Sequence, residues 1–448
     1  MAGAVEPEQT RIGHLVDGAE TPHQAATLTY EPRMGPLLSV PYIKGAPQFS
    51  HAVDWFDRER PPETLLFCDD RGVATLTGLR WRGHTGGVYR VGRLSPSVTF
   101  AGRPRRLKDT YRIREFTSQI DGLSEFTNVG SVEVGERRTR EDPITATLKP
   151  SQHFRWRHGG YTHEIRADAI WSARFGHSFD ATSQAFLTTT RGRGETPEGY
   201  LVSQWPVRAL LVLAFGTPLY WREHSIRDDN FPTWMLSGEA REPSPVDVQL
   251  QRTSEDGEQA VPSTSDLSLP VFKLSDLGTA GLKRWYRLYD DHILRRAIEP
   301  AVEVINGASR FREPQLIMAA MSLEAAGHYR DPLRRPRRTL AEQIERCLAA
   351  TEHDWSAIGT EAGIARAIAK TTNDLKHADR PNRPNGVELA VITNLAKLVM
   401  RMQVLDLLCI PPKVKQGFTR TNAVYQVVEK FRLNGVQVLE DGTLKREV

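Results

Sequence analysis

The sequence predicts an α+β protein, a β-rich N-terminal domain followed by an all-α C-terminal bundle. Three observations predict it. From Leu28 to about Leu236 the signals are mostly those of strands, with alternation around an Asp-Arg-Gly turn in 64–81 and a Gly-Gly hairpin in 153–166. From about Ser275 the apolar spacing changes to a period near 3.6. Between them GEAREPSPVDVQLQRTSEDGEQAVPSTSD (238–266) is rich in Pro, Ser and acid and reads as a long loop.

The chain has 448 residues, enough for two or three domains. Its 39% hydrophobic and 25% charged residues exclude a disordered chain. The richest apolar stretch, 207–221, breaks at Gly216 and Pro218. It falls short of the ~18 residues of a membrane span, so no membrane partner is expected. MAGAVEPEQT carries no basic-then-apolar leader, and Cys68, Cys347 and Cys409 are far apart and odd in number. Both point to a reducing, cytoplasmic setting.

In order, residues 1–27 lack periodicity and read as a flexible lead-in, and 28–237 form the β-rich domain. Within it TLLFCDD-RG-VATLTGLRW (64–81) alternates around a turn. HFRWRH-GG-YTHEIR (153–166) is the clearest hairpin, its Gly-Gly step suiting a primed two-residue turn. That register sets Trp156 against His163 and Phe154 against Ile165 on one apolar face. Arg155, Arg157, Thr162, Glu164 and Arg166 share the other. His153 and His158 then point to opposite faces, so His153, His158 and His163 read as strand residues, and no metal ligands are assigned. A helical piece is expected around 206–215. RPRRLKDTYRIR (103–114) mixes cations with Tyr111 and reads as a solvated strand edge or a nucleic-acid contact.

Residues 238–274 read as linker, 275–412 as the bundle and 413–448 as a tail. In 282–305, Leu282, Trp285, Tyr289, Leu294, Ile298, Ala301 and Ile305 trace one helical face. A second helix, 314–327, is expected to stop at Gly327. Thr339 and Glu342 form a capping box for the third. A fourth runs from Glu361 to Asp379, and a fifth, 386–409, ends before Pro411-Pro412. The tail holds a short helix (420–432) and a hairpin near Asp441-Gly442. Residues 276–448 carry 27 Lys+Arg against 21 Asp+Glu, of chain totals 59 and 55, so the basic excess lies here.

The chemistry-bearing segment is TTNDLKHADR (371–380). Lys370, Asn373, Asp374 and His377 are spaced i, i+3, i+4, i+7, which sets them on one helical face, with Arg366 a turn earlier and Arg380 a turn later. An imidazole moves protons near neutral pH, and a cation stabilises charge growing on a phosphate. Such a set suits a phosphodiester without a metal or other cofactor. The plain structural account is a polar outer face of a bundle helix.

The arrangement resembles the HEPN superfamily, specifically the ApeA-like HEPN proteins of bacterial anti-phage defence. The family motif is Arg, a polar residue, three residues, then His. Asn373-Asp-Leu-Lys-His377 matches the polar residue and the His. LIMAAMSLEAAGHYR (316–330) resembles the family helix with an embedded Glu, here Glu324. Segments 64–79, 116–126 and 205–220 resemble the β-rich ApeA N-terminal domain. Thr372 stands where the family has Arg; of the positions the family spacing allows, only Lys370 is cationic, and it lacks a guanidinium fork. The resemblance implies a metal-independent endoribonuclease acting as a homodimer on RNA. His377 would be the general base, with Asn373 and Asp374 beside it and Lys370 on the phosphate. Arg366, Arg380, Arg334, Arg335, Arg337 and Arg338 would track RNA, and the N-terminal domain would sense a phage-derived trigger. The alternative is a degenerate HEPN protein that binds RNA, nucleotide or a protein partner without cleaving.

Overall fold

The structure, a computed structural model, describes residues 10–16, 24–31, 34–135, 145–149, 153–174, 177–331, 338–377, 379 and 384–446. The chain divides into two compact units. One comprises residues 1–121, 129–205 and 220–261; the other comprises 122–128, 206–219 and 262–448. The fold is α+β, with an N-terminal antiparallel sheet region and a C-terminal helical region.

The first unit is built on β1 (Thr10–Val16), β2 (Gln24–Glu31), β3 (Gly35–Ile43), one-turn α1 (Ser50–Ala52), β4 (Thr64–Asp69), β5 (Gly72–Thr77), β6 (Arg80–His84), β7 (Tyr89–Ser95), β8 (Val98–Phe100) and β9 (Ile113–Ile120). After α2 (Leu123–Thr127), which belongs to the second unit, it continues with β10 (Val132–Val134), β11 (Ala146–Leu148), β12 (Phe154–His158), β13 (Tyr161–Arg174) and β14 (Ser178–Glu195). Beyond α3 (Pro197–Phe215) come β15 (Trp221–Arg227), β16 (Thr233–Trp234), β17 (Ala240–Arg241) and β18 (Val246–Leu250). Fourteen of these strands form one sheet, ordered β12-β13-β14-β9-β15-β18-β8-β5-β4-β1-β2-β3-β7-β6.

The 153–166 hairpin has the expected register, with Phe154 opposite Ile165 and Trp156 opposite His163. Gly159 and Gly160 take φ of 57° and 80°, the left-handed pair that a primed turn requires. The Trp156 and His163 rings stack 5.2 Å apart, both buried.

Two expectations fail here. Residues 10–16 of the supposed lead-in are β1, which lies between β4 and β2 inside the sheet. Its alternate residues Arg11, Gly13 and Leu15 are buried, and Arg11 donates both Nε and Nη2 to the Asp69 carboxylate at 2.6 Å. The supposed linker contains β18, which joins β15 to β8. Val248 and Leu250 pack inward while the flanking Pro and Ser dilute that signal.

The second unit contains the end of α3 from Pro206, α4 (Leu274–Asp290), α5 (His292–Ile305), α6 (Arg312–Tyr329), α7 (Leu340–Ala349), α8 (Glu361–Lys376), α9 (Gly386–Leu407), α10 (Pro412–Thr419), α11 (Asn422–Leu433) and a hairpin of β19 (Val436–Val438) and β20 (Leu444–Arg446). The expected single helix 282–305 is two. Extended Asp291 interrupts it, and its carboxylate accepts from the Ile293 and Leu294 N–H groups. Gly327 does not stop α6. It lies inside the helix and is buried. The capping box of α7 is present, with Thr339 N–H on Glu342 Oε2 at 2.7 Å. α9 is buried on most of its circumference, as a central bundle helix must be. From it Arg401 donates to the Leu213 and Ala214 carbonyls at the end of α3, at 3.1 and 2.9 Å.

Candidate functional site at the end of α8

Thr360 caps α8 by accepting the Gly363 N–H at 3.1 Å. Ile364, Ala365, Ala367, Ile368, Ala369, Thr371 and Thr372 are buried, so small residues bring this helix close to its neighbours. The helix ends at Lys376, three residues short of the expected Asp379. His377 is its C-cap, with extended φ/ψ of −112° and 104°. Its N–H donates to the Asn373 carbonyl at 3.1 Å, and the residue is exposed.

The expected stripe is therefore divided. Arg366 is exposed and donates through Nη1 to the Glu440 carbonyl at 2.6 Å, in the turn of the β19–β20 hairpin. Lys370 is exposed and faces Asp441 of the same turn. The Asp441 carboxyl lies below its usual range, first through the Thr443 N–H and hydroxyl and also through the Lys370 charge. Asn373 and Asp374 are half-buried, and Asp374 is engaged. No side-chain hydrogen bond or ion pair joins Lys370, Asn373 and His377 among the described residues. The hairpin fits tightly: a Cβ on Gly363 would meet the Leu439 carbonyl oxygen at 2.6 Å, and one on Gly442 the Ala367 nitrogen at 2.7 Å.

Thr372, where the expected motif would carry Arg, is fully buried and donates to the Ile368 carbonyl at 2.8 Å. Arg338 is not a free surface cation. Its Nε donates to Asp331 at 2.9 Å, and Asp331, 2% exposed, also holds Arg346. A buried Asp in a loop gives no periodic signal, so its role is not legible in the sequence. Arg334, Arg335, Arg337 and Arg380 lie outside the described residues. In the 103–114 run, 101–112 contains no strand. Tyr111 is buried, its hydroxyl donating to the Arg106 carbonyl at 3.0 Å, so its ring offers no stacking face.

One further set has the look of catalysis. Ser118 Oγ lies 2.9 Å from His224 Nδ1 and donates to Gln204 Oε1 at 2.6 Å. Burial pushes the His224 imidazole down to about 3, and the pair is sealed inside the first unit, so it is a structural polar chain. Among the described residues no cluster of three His, Cys, Asp or Glu could hold a metal, and no helix is long and apolar enough to cross a membrane.

No family model, no curated protein and no solved structure matches the chain.

Proposed function

We propose that the helical unit is a metal-independent HEPN-type endoribonuclease, acting as a homodimer in abortive-infection anti-phage defence, with the sheet unit as its sensor. The supporting observation is the placement of His377. Its imidazole is exposed directly beyond a helix packed into the bundle, and its N–H is tied to Asn373. In this reading the imidazole takes the proton of a ribose 2′-hydroxyl. The 2′-oxygen attacks phosphorus, the P–O5′ bond breaks, the 5′-oxygen leaves as a hydroxyl by taking a proton from solvent, and a 2′,3′-cyclic phosphate forms. Stabilisation of the phosphate then falls to cations other than one at position 372.

A second reading, a non-cleaving HEPN protein that binds RNA or another partner, draws on Thr372. A core threonine occupies the family's Arg position, and Arg366 is tied to the hairpin. An RNA-cleavage assay with metals chelated separates the two. The nuclease reading expects cleavage by wild type and loss in His377→Ala. Equal cleavage by both removes His377 from the reaction; RNA retention without cleavage by wild type selects the binder.

A further inference from the structure

β13 and β14 leave the body of the sheet as a two-stranded arm. β12 pairs with β13 as far as Ile165, and β9 pairs with β14 from Leu187 onward. Among the described residues, Asp168–Arg174 and Ser178–Gln184 pair with each other alone, and none of them is buried. At the usual antiparallel rise this stretch spans about 24 Å. A two-stranded ribbon is marginal in water, because no third strand or helix covers its apolar face.

This arm has such a face. Ala169, Trp171 and Ala173 alternate onto it, opposite Ser183, Ala181 and Phe179. The Trp171 and Phe179 rings lie 6.4 Å apart and the two residues are 59% and 51% exposed. At the base of the arm Ser183 Oγ accepts from the Ser131 N–H at 2.9 Å and from the Ser131 hydroxyl at 3.1 Å, so β14 has a neighbour there. The outer edge of β13 carries no strand among the described residues. Between Asp168 and Arg174 it reads AIWSA, without the charge, Pro or Gly that keeps a bare edge from pairing.

The charges at the two ends decide what that edge fits. Asp168 and Arg174 stand three residues to either side of Trp171. Antiparallel pairing of the segment with itself about Trp171 therefore sets Asp168 opposite the partner's Arg174 at both ends. It also sets the two tryptophans opposite each other on one face. A slip of one residue turns the apolar faces to opposite sides, and a slip of two parts the charges. Among the described residues Asp168 has one exposed ion-pair contact, to Arg166 Nε at 3.5 Å, and Arg174 has none.

We infer that the arm is a self-association surface: two copies of this chain join their β13 edges antiparallel about Trp171, making a four-stranded ribbon with one continuous apolar face. A contact of this size lies at the small end of protein interfaces, so the association is reversible and concentration-dependent. It lies wholly in the sheet unit and does not rest on the ribonuclease reading, whose homodimer belongs to the helical unit.

The test is sedimentation velocity of the full chain over a concentration series. Wild type is expected to associate. Asp168→Arg and Arg174→Asp each lose one step of that association, with the dissociation constant raised about tenfold or more, because like charges then meet at both ends. Mixed in equal amounts, the two variants associate with each other, and the double variant Asp168→Arg/Arg174→Asp associates with itself again. Both positions are exposed, so all three variants keep the fold. A dimer made by the helical unit survives in both single variants, which are then dimers; without it they are monomers, so the two contacts are read separately. The inference is overturned if wild type sediments as Asp168→Arg does at every concentration, if the two single variants stay apart when mixed, or if the double variant does not regain the lost step.

Discussion

Gly327 of α6 lies directly against Gln343 of α7: a Cβ at Gly327 would stand 2.3 Å from the Gln343 carbonyl oxygen and 2.8 Å from its Cα. The obstacle is helix backbone, which cannot swing aside. Gly327→Ala therefore forces the two helices apart and lowers stability by about 1–3 kcal/mol, the usual cost of overpacking. Gly417 in α10 has no atom within 4 Å of its would-be Cβ, so Gly417→Ala raises stability by about 0.5–1 kcal/mol. Thermal unfolding of both variants checks the opposite signs.

An arginine introduced at position 372 would not create a site. Thr372 is fully buried and bonded to Ile368, so Thr372→Arg places an uncompensated guanidinium in the bundle, at a cost on the order of 3–5 kcal/mol. Expected is loss of soluble, cooperatively unfolding protein. A soluble Thr372→Arg variant with unchanged melting temperature would contradict this placement.

Arg366 braces the hairpin. Arg366→Ala removes its bond to the Glu440 carbonyl and should cost about 0.5–1.5 kcal/mol. Hydrogen exchange should quicken at Val436–Val438 and Leu444–Arg446, with any retention of RNA unchanged. Loss of RNA retention in Arg366→Ala without faster exchange would instead support the expectation that Arg366 contacts RNA.

Two histidines make the sheet unit acid-sensitive. Burial pushes His163 down to about 3, with the nearby His158 adding to it, and burial alone does the same to His224. In the unfolded chain both titrate near 6.5, so that state binds the extra protons. Stability is full above pH 6.5 and falls as pH drops toward 3, by up to about 1.4 kcal/mol per pH unit for each imidazole. Urea midpoints at pH 7.5, 6 and 5 should fall in that order, and His224→Gln should flatten the slope.

What could be read from sequence was local. The 153–166 register followed from Gly159-Gly160 and strict alternation, and the α7 cap from Thr339 and Glu342. What escaped depended on distant partners. β1 and β18 do alternate, but each is short and sits among Pro, Ser and acidic residues. Gly327 looks like a helix stop until α7 is laid against it. The position of Asn373 and His377 near the end of a helix was legible. The direction of Arg366 and Lys370 was not, because a hairpin some seventy residues onward claims that face.

The β18 strand has a consequence for the mechanics of the sheet. Val246 and Asp247 pair with Ile226 and Ser225 on one side, and Val248, Gln249 and Leu250 pair with Phe100, Thr99 and Val98 on the other. Five strands lie to one side of it and eight to the other. Among the described residues no other ladder links these two groups, so the sheet is two panels sewn along a five-residue seam. A force or fluctuation that opens the sheet acts first on that stitch.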